Sequence, residues 1–324
     1  MPPDTLCRAY AETPVLLPSA APQLPRPLPW LRIALRFALI IFPRASQRWL
    51  YELWFTPMRG PVRDADLRAL GRPDEAFRAT TESFSVLVRR FGQGPQVLLV
   101  HGWGGYGAQF SHLVGALNAA GYAALVYDLP GHGENPSSRF HAGHSADLIE
   151  AIAAQRRLHA IVGHSLGAYA AGIAIARGVP TQAFVGLAPP ANLKTLLLGF
   201  QRLLMLPQES VRRLGEQLER EFGPEVWCRF SLDYHMPRVR VPTLLIHDKD
   251  DRVAAWQTAD YLAGMAPDVK VQYTKGLGHY RILRHAPVLD AVVRHLASRS
   301  AAAERFSLDA SQVQHSDAAA PAAA

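Results

Sequence analysis

The stretch "HAIVGHSLGAYAAGIAIARG", residues 159–178, decides how this chain is read. An apolar run of strand length leads into a run of alanine, isoleucine and glycine with no charge before Arg177. The first part reads as a buried strand and the second as a small-residue helix, so Gly163, His164, Ser165, Leu166 and Gly167 occupy the join. A serine hydroxyl is a poor nucleophile unless it is held rigidly, exposed and hydrogen-bonded to a base. A sharp strand-to-helix turn supplies the exposure. It also brings neighbouring backbone so close that the positions two before and two after the serine must be nearly free of side chain. Gly163 and Gly167 meet that demand, and Ser165 is therefore the candidate nucleophile on an elbow.

Outward from the elbow, apolar runs of strand length alternate with helical patterns. The runs are "VLLVHG" (97–102), "AALVYD" (123–128), "AIVGHS" (160–165), "AFVGLAP" (183–189), "TLLIHD" (243–248) and "VKVQYT" (269–274). Continuous apolar strands separated by helices are what a parallel sheet covered on both faces requires, so the prediction is an α/β, doubly wound, mostly parallel sheet. "SFSVLVRRFG" adds a strand or hairpin at the sheet edge. From Ala191 to His235 no strand-like run occurs. A helical insertion there sits over the C-terminal edge of the sheet, where open α/β folds bind ligands, and is a candidate lid. The expected organisation is a Pro-rich lead-in (1–29), a basic amphipathic helical extension (30–78), the two parts of the core (79–190 and 236–299) around a helical lid (191–235), and a low-complexity tail (300–324).

With 324 residues and 49% hydrophobic side chains, the chain is long enough for a large buried core. Its net charge of +7 comes from thirty arginines and four lysines against 27 acids. Five of the arginines lie between Arg26 and Arg48, where there is no acid. Charge alone, without a recognised module, does not support nucleic-acid binding. Two cysteines, Cys7 and Cys228, far apart and outside any CxxC motif, fit an unpaired state in a reducing, cytoplasmic compartment. No secretory leader pattern is read at the N-terminus. In "WLRIALRFALIIFPRASQRWLYELWF" the uninterrupted apolar run from Phe37 to Phe42 falls far short of the roughly 20 residues of a spanning helix. Arg32 and Arg36 share one face of a helix whose other faces carry Trp30, Ile33, Phe37, Ile40 and Ile41. Packing of this helix on the domain core is the favoured reading, with peripheral membrane contact through 30–55 as the alternative.

Five motifs in order, "HGWGG", "DLPGHGE", "GHSLG", "HDKDD" and "GLGHY", each following a predicted strand, make the chain resemble an α/β-hydrolase over residues 84–298. The resemblance implies a triad in the order serine, acid, histidine. His279, in "KGLGHYRIL", has the right order and flanking glycines, so it is the expected base. No Asp or Glu occurs between Glu150 and Glu209, which removes the variant that draws its acid from the strand ending near Ala188. The next strand end offers Asp248, Asp250 and Asp251. The family's D-x-x-V spacing matches Asp250 and Val253, so Asp250 is the expected acid, with Asp248 and Asp251 left open. The oxyanion donors implied are the N–H groups of Leu166 and Trp103.

A serine at the elbow excludes the aspartyl-ester chemistry of dehalogenases and epoxide hydrolases. The expected activity is hydrolysis of a carboxylic ester with an apolar acyl group, without metal or cofactor. Thioesterase, lactonase, cofactor-free haloperoxidase and carbon–carbon hydrolase reactions use the same residues. A non-catalytic membrane-surface or scaffold protein is the alternative from another class. "DKDDRV" lacks the oxygen ligand and glycine of a calcium loop.

Overall fold

The structure, a computed structural model, describes residues 13–19, 28–136 and 138–298. Most of the expected lead-in and all of the expected tail lie outside them. The apolar runs pair as strands of one eight-stranded sheet: β1 (Glu75–Thr80), β2 (Ser85–Phe91), β3 (Gln96–Val100), β4 (Ala123–Tyr127), β5 (Leu158–His164), β6 (Ala183–Leu187), β7 (Thr243–Asp248) and β8 (Val269–Thr274). Their order is β1-β2-β4-β3-β5-β6-β7-β8. β2 pairs antiparallel with β1 and β4, and every other pairing is parallel. The sheet thus begins at Glu75, inside the stretch assigned above to the extension.

Alternation along the strands divides the apolar residues between two faces. Val97 and Leu99 join Val126, Val162, Val185 and Ile246 in one core, while Leu98 and Val100 join Leu125, Ile161, Phe184 and Leu245 in the other. Both faces are buried, which is why these strands read as continuous apolar runs.

In chain order the helices are α1 (Leu28–Ile41), α2 (Pro43–Phe55), α3 (Asp64–Leu70), α4 (Ser111–Ala119), α5 (Ala142–Ala153), α6 (Leu166–Ala176), α7 (Leu193–Leu204), α8 (Gln208–Phe222), α9 (Val226–Arg229), α10 (Leu232–His235), α11 (Thr258–Ala263), α12 (Gly278–Arg281) and α13 over 286–298. The segment between β6 and β7 is helical, α7 to α10, and its two ends are tied together. Asn192 caps α7 by accepting the Thr195 N–H at 2.9 Å and donates to the Asp233 carboxylate at 2.9 Å, which also accepts from the Tyr261 hydroxyl at 3.2 Å. Such side-chain caps satisfy helix N–H groups that have no partner within the helix.

α1 and α2 pack on this insertion. Leu35, Leu50, Tyr51 and Phe55 form an apolar cluster with Leu193, Leu197, Leu204, Leu214 and Leu218. Arg32 donates from Nε and Nη2 to the Leu203 carbonyl at 2.9 and 2.7 Å, satisfying the open end of α7. The face of α1 that packs is therefore the one with Arg32, Leu35 and Leu39, and Trp30, Ile33, Phe37, Ile40 and Ile41 remain exposed, contrary to the packing favoured from sequence. Cys228 is buried on α9, and Cys7 lies outside the described residues. Among the described residues no helix is long and apolar enough to cross a membrane.

Candidate active site

β5 ends at His164 and α6 begins at Leu166, so the turn is made by Ser165 alone. Its backbone lies at φ 52°, ψ −120°, a conformation that costs an L-residue on the order of 1–3 kcal/mol and persists only where the surroundings enforce it. They do so here. The Ser165 N–H donates to the Leu187 carbonyl at 2.8 Å, and a methyl at Gly167 would run into the Val100 carbonyl, one at Gly163 into the backbone of Ala168. Ser165 is half-buried, and Leu166 and Gly167 are buried.

The "HGWGG" loop lies against this elbow. A Cβ at Gly102 would stand 2.8 Å from the Ser165 Cβ, so only glycine permits the approach. His101 fastens the loop. Its Nδ1 donates to the Gly102 carbonyl at 2.9 Å and its Nε2 accepts the Leu129 N–H at 2.9 Å, which fixes a neutral ring. Burial pushes its pKa down to about 4. Trp103 follows, its indole half-buried against the rings of His132 and Phe140 at 5.7 and 6.3 Å between centroids.

His279 is buried at the start of α12, and its Nδ1 lies 2.7 Å from Oδ2 of Asp251. The carboxylate behind the histidine is thus Asp251, and the assignment of that contact to Asp250 is corrected. Asp250 is exposed, and its carboxylate accepts the Gly276 N–H at 3.0 Å. Asp251 Oδ1 accepts the N–H groups of Val253 and Ala254 at 2.7 and 3.0 Å, and its Oδ2 also meets His247 Nε2 at 3.2 Å. Burial works to raise this carboxyl's pKa, but the charges and hydrogen bonds of His279 and His247 overcome it and hold the group well below the usual carboxylate range.

Asp248 has a different task. Its carboxylate accepts from the Thr274 hydroxyl at 2.8 Å and from the N–H groups of Leu277 and Gly278 at 3.0 and 2.9 Å, fixing the loop that carries His279. The three neighbouring aspartates therefore divide the work: Asp248 and Asp250 hold the loop, and Asp251 meets the imidazole.

Sequence reasoning missed two histidines. His164, beside the nucleophile, meets the His279 carbonyl through Nε2 at 2.8 Å, with the two rings 4.7 Å apart. It is the link that brings the His279 segment to the elbow. Burial, reinforced by the nearby His279 ring, pushes the His164 pKa down to about 3, which keeps the ring neutral so that Nε2–H donates. His247, at the end of β7, contacts the same Asp251 oxygen as His279 does, and nothing in its sequence position signals it.

A model of the alpha/beta hydrolase family matches residues 97–291. A pimeloyl-[acyl-carrier protein] methyl ester esterase of Chromobacterium violaceum is 40% identical over 87 residues, which cover 26% of this chain and 32% of that protein. The match to that relative therefore spans about a third of its length. RutD of Stutzerimonas stutzeri is 27% identical over 248 residues, 63% of this chain and 92% of that protein. Among solved structures, an esterase of Pyrococcus furiosus superposes with a TM-score of 0.58 at 16% identity, covering 76% of this chain and 97% of that one, a likeness of fold. With the family's motifs spread along a sheet of matching topology and the family match covering more than half of its length, the chain belongs to the alpha/beta hydrolase family.

Proposed function

We propose that this hydrolase cleaves carboxylic esters through Ser165, His279 and Asp251. The observation that carries the reading is the buried contact of 2.7 Å between His279 and Asp251, on a segment bonded to the residue that precedes a positive-φ serine. With Nδ1 held by Asp251, the imidazole keeps its proton there and presents Nε2 as the base. Nε2 takes the Ser165 proton as Oγ attacks the ester carbonyl. The oxyanion that forms is stabilised by the N–H groups of Leu166 and Trp103, where a donor of this kind is worth about 2.7–4 kcal/mol. The first is favoured by its place at the start of α6, where a helix N–H has no partner inside the helix. Collapse breaks the C–O bond, and the imidazolium returns its proton to the leaving alkoxide. Water then attacks the acyl-enzyme with the same base and releases the acid and Ser165.

The esterase names among the relatives agree with this chemistry. An apolar acyl group suits the half-buried Leu196 of α7, which packs with Trp103 against the apolar cluster that contains Leu166. The cleft of about 610 Å3 between α7 and α8, lined by Lys194, Arg212, Glu216 and Trp227 among others, does not border Ser165 and is not assigned this role. Purified protein is expected to hydrolyse p-nitrophenyl esters, faster with butyrate to octanoate than with acetate. Turnover no greater than the buffer background at every chain length contradicts the reading.

A further inference from the structure

The orientation of α1 is the reverse of that of an ordinary surface helix, which turns its apolar stripe inward and its charges outward. Here Arg32 points into the protein to the last carbonyls of α7, and Leu35 is buried beside it. Trp30, Ile33, Phe37, Ile40 and Ile41 recur at helical spacing on the opposite face and are between 48% and 77% exposed. The stripe continues past the end of the helix through Phe42, 65% exposed, and Trp49 adds an indole on α2, 46% exposed. Contiguous exposed apolar surface of this kind marks a docking site.

Charge selects the partner. Arg36, Arg44 and Arg48 are exposed along the same two helices, and no acid occurs between Glu12 and Glu52. A symmetric contact with a second copy would set these arginines against their own counterparts, and the carboxylate the two helices carry, Glu52, already faces Arg139 at 3.5 Å, which disfavours it. An anionic lipid surface has the complementary chemistry: acyl chains for the aliphatic and phenyl side chains, the interfacial zone for the two indoles, and phosphate for the guanidinium groups. α1 has 14 residues, too few to cross a bilayer, but a length suited to lying in its plane.

We infer that the exposed face of α1 and the α1–α2 corner bind the surface of a membrane containing anionic phospholipid. The Arg32 contact then holds α7, the first helix of the insertion, at that surface. Binding depends on this face alone and not on the reactivity of Ser165, so it is tested apart from catalysis.

The test is flotation of the full chain with vesicles of phosphatidylglycerol mixed into phosphatidylcholine, and with phosphatidylcholine alone. The intact protein is expected to float with the mixed vesicles and to be released by salt. Phe37→Ser combined with Ile40→Ser should lower the bound fraction about tenfold or more. Arg36→Glu, Arg44→Glu and Arg48→Glu together should remove the preference for the anionic vesicles, a loss of at least about tenfold. Both variants alter exposed side chains and should keep the thermal transition and the p-nitrophenyl butyrate activity of the parent in solution. The inference is overturned if the parent does not float with the mixed vesicles, or if both variants float as well as the parent. It is overturned equally by light scattering that shows a dimer which Phe37→Ser with Ile40→Ser dissociates and which does not bind vesicles.

Discussion

Ser165→Ala is expected to lower the hydrolysis of p-nitrophenyl butyrate by about 10⁶-fold, on the order of 8 kcal/mol of barrier. The size of the effect follows from the unit in which the serine acts. Without Oγ, the imidazole of His279 has no proton to take from a nucleophile and the oxyanion donors have no covalent intermediate to stabilise. What remains is water attack in a site that still binds the ester, a residual of about 10³-fold over solution. The alanine should also relieve little of the backbone strain at φ 52°, because that conformation is enforced by the close approaches at Gly163 and Gly167 and by the Ser165 N–H to Leu187 bond. Circular dichroism melting of the variant alongside the assay separates lost chemistry from lost folding. A variant that melts with the parent and retains a tenth of its activity contradicts the assignment.

The second prediction distinguishes two adjacent aspartates. Asp251→Asn is expected to cost about 10⁴-fold in kcat, close to 5 kcal/mol. An asparagine amide facing Nδ1 of His279 would favour the tautomer with its proton on Nε2, which leaves no base toward Ser165, and a neutral amide cannot stabilise the imidazolium that forms during attack. Asp250→Asn should stay within about threefold of the parent, because that side chain is exposed and accepts one N–H from Gly276. The steady-state kinetics of the two variants measured side by side decide the matter. Equal losses, or a larger loss for Asp250→Asn, contradict the geometry.

How much of this was legible in the sequence follows from which constraints are local. The strands were, because a strand buried on both faces must be a continuous apolar run, and such runs recover β3 to β7 to within a few residues, while β8, at the sheet edge and half-buried, carries polar residues within its run. The elbow was, because a steric requirement on Gly163 and Gly167 can be seen at two positions flanking one serine. His279 was reachable by order alone. The acid was not legible to the residue. Asp248, Asp250 and Asp251 lie on one turn, closed by the Asp251 N–H to Asp248 carbonyl bond at 3.0 Å, and the direction of each side chain is set by that turn and not by its neighbours in sequence. The residue three beyond Asp251 is Ala254, whose N–H the carboxylate accepts, so the spacing that pointed to Val253 was displaced by one.

Partners distant in sequence were equally out of reach. His164 meets the carbonyl of a residue 115 positions away, and Asp248 accepts N–H groups 29 and 30 positions away. For α1, helical periodicity established that one stripe is apolar but not which stripe faces the protein. That depends on where Arg32 finds acceptors, and the acceptors are the carbonyls at the end of α7, 171 positions downstream. A guanidinium placed on open carbonyls and a leucine buried beside it decide the orientation against the wider apolar face.

Activation of Ser165 by His279, backed by Asp251, can be read directly with a fluorophosphonate probe followed by peptide mass spectrometry. One phosphonyl group per chain is expected, on Ser165, with labelling slowed at least about a thousandfold in His279→Ala. A folded protein that leaves Ser165 unlabelled, or that is labelled there as fast without the imidazole as with it, would contradict it.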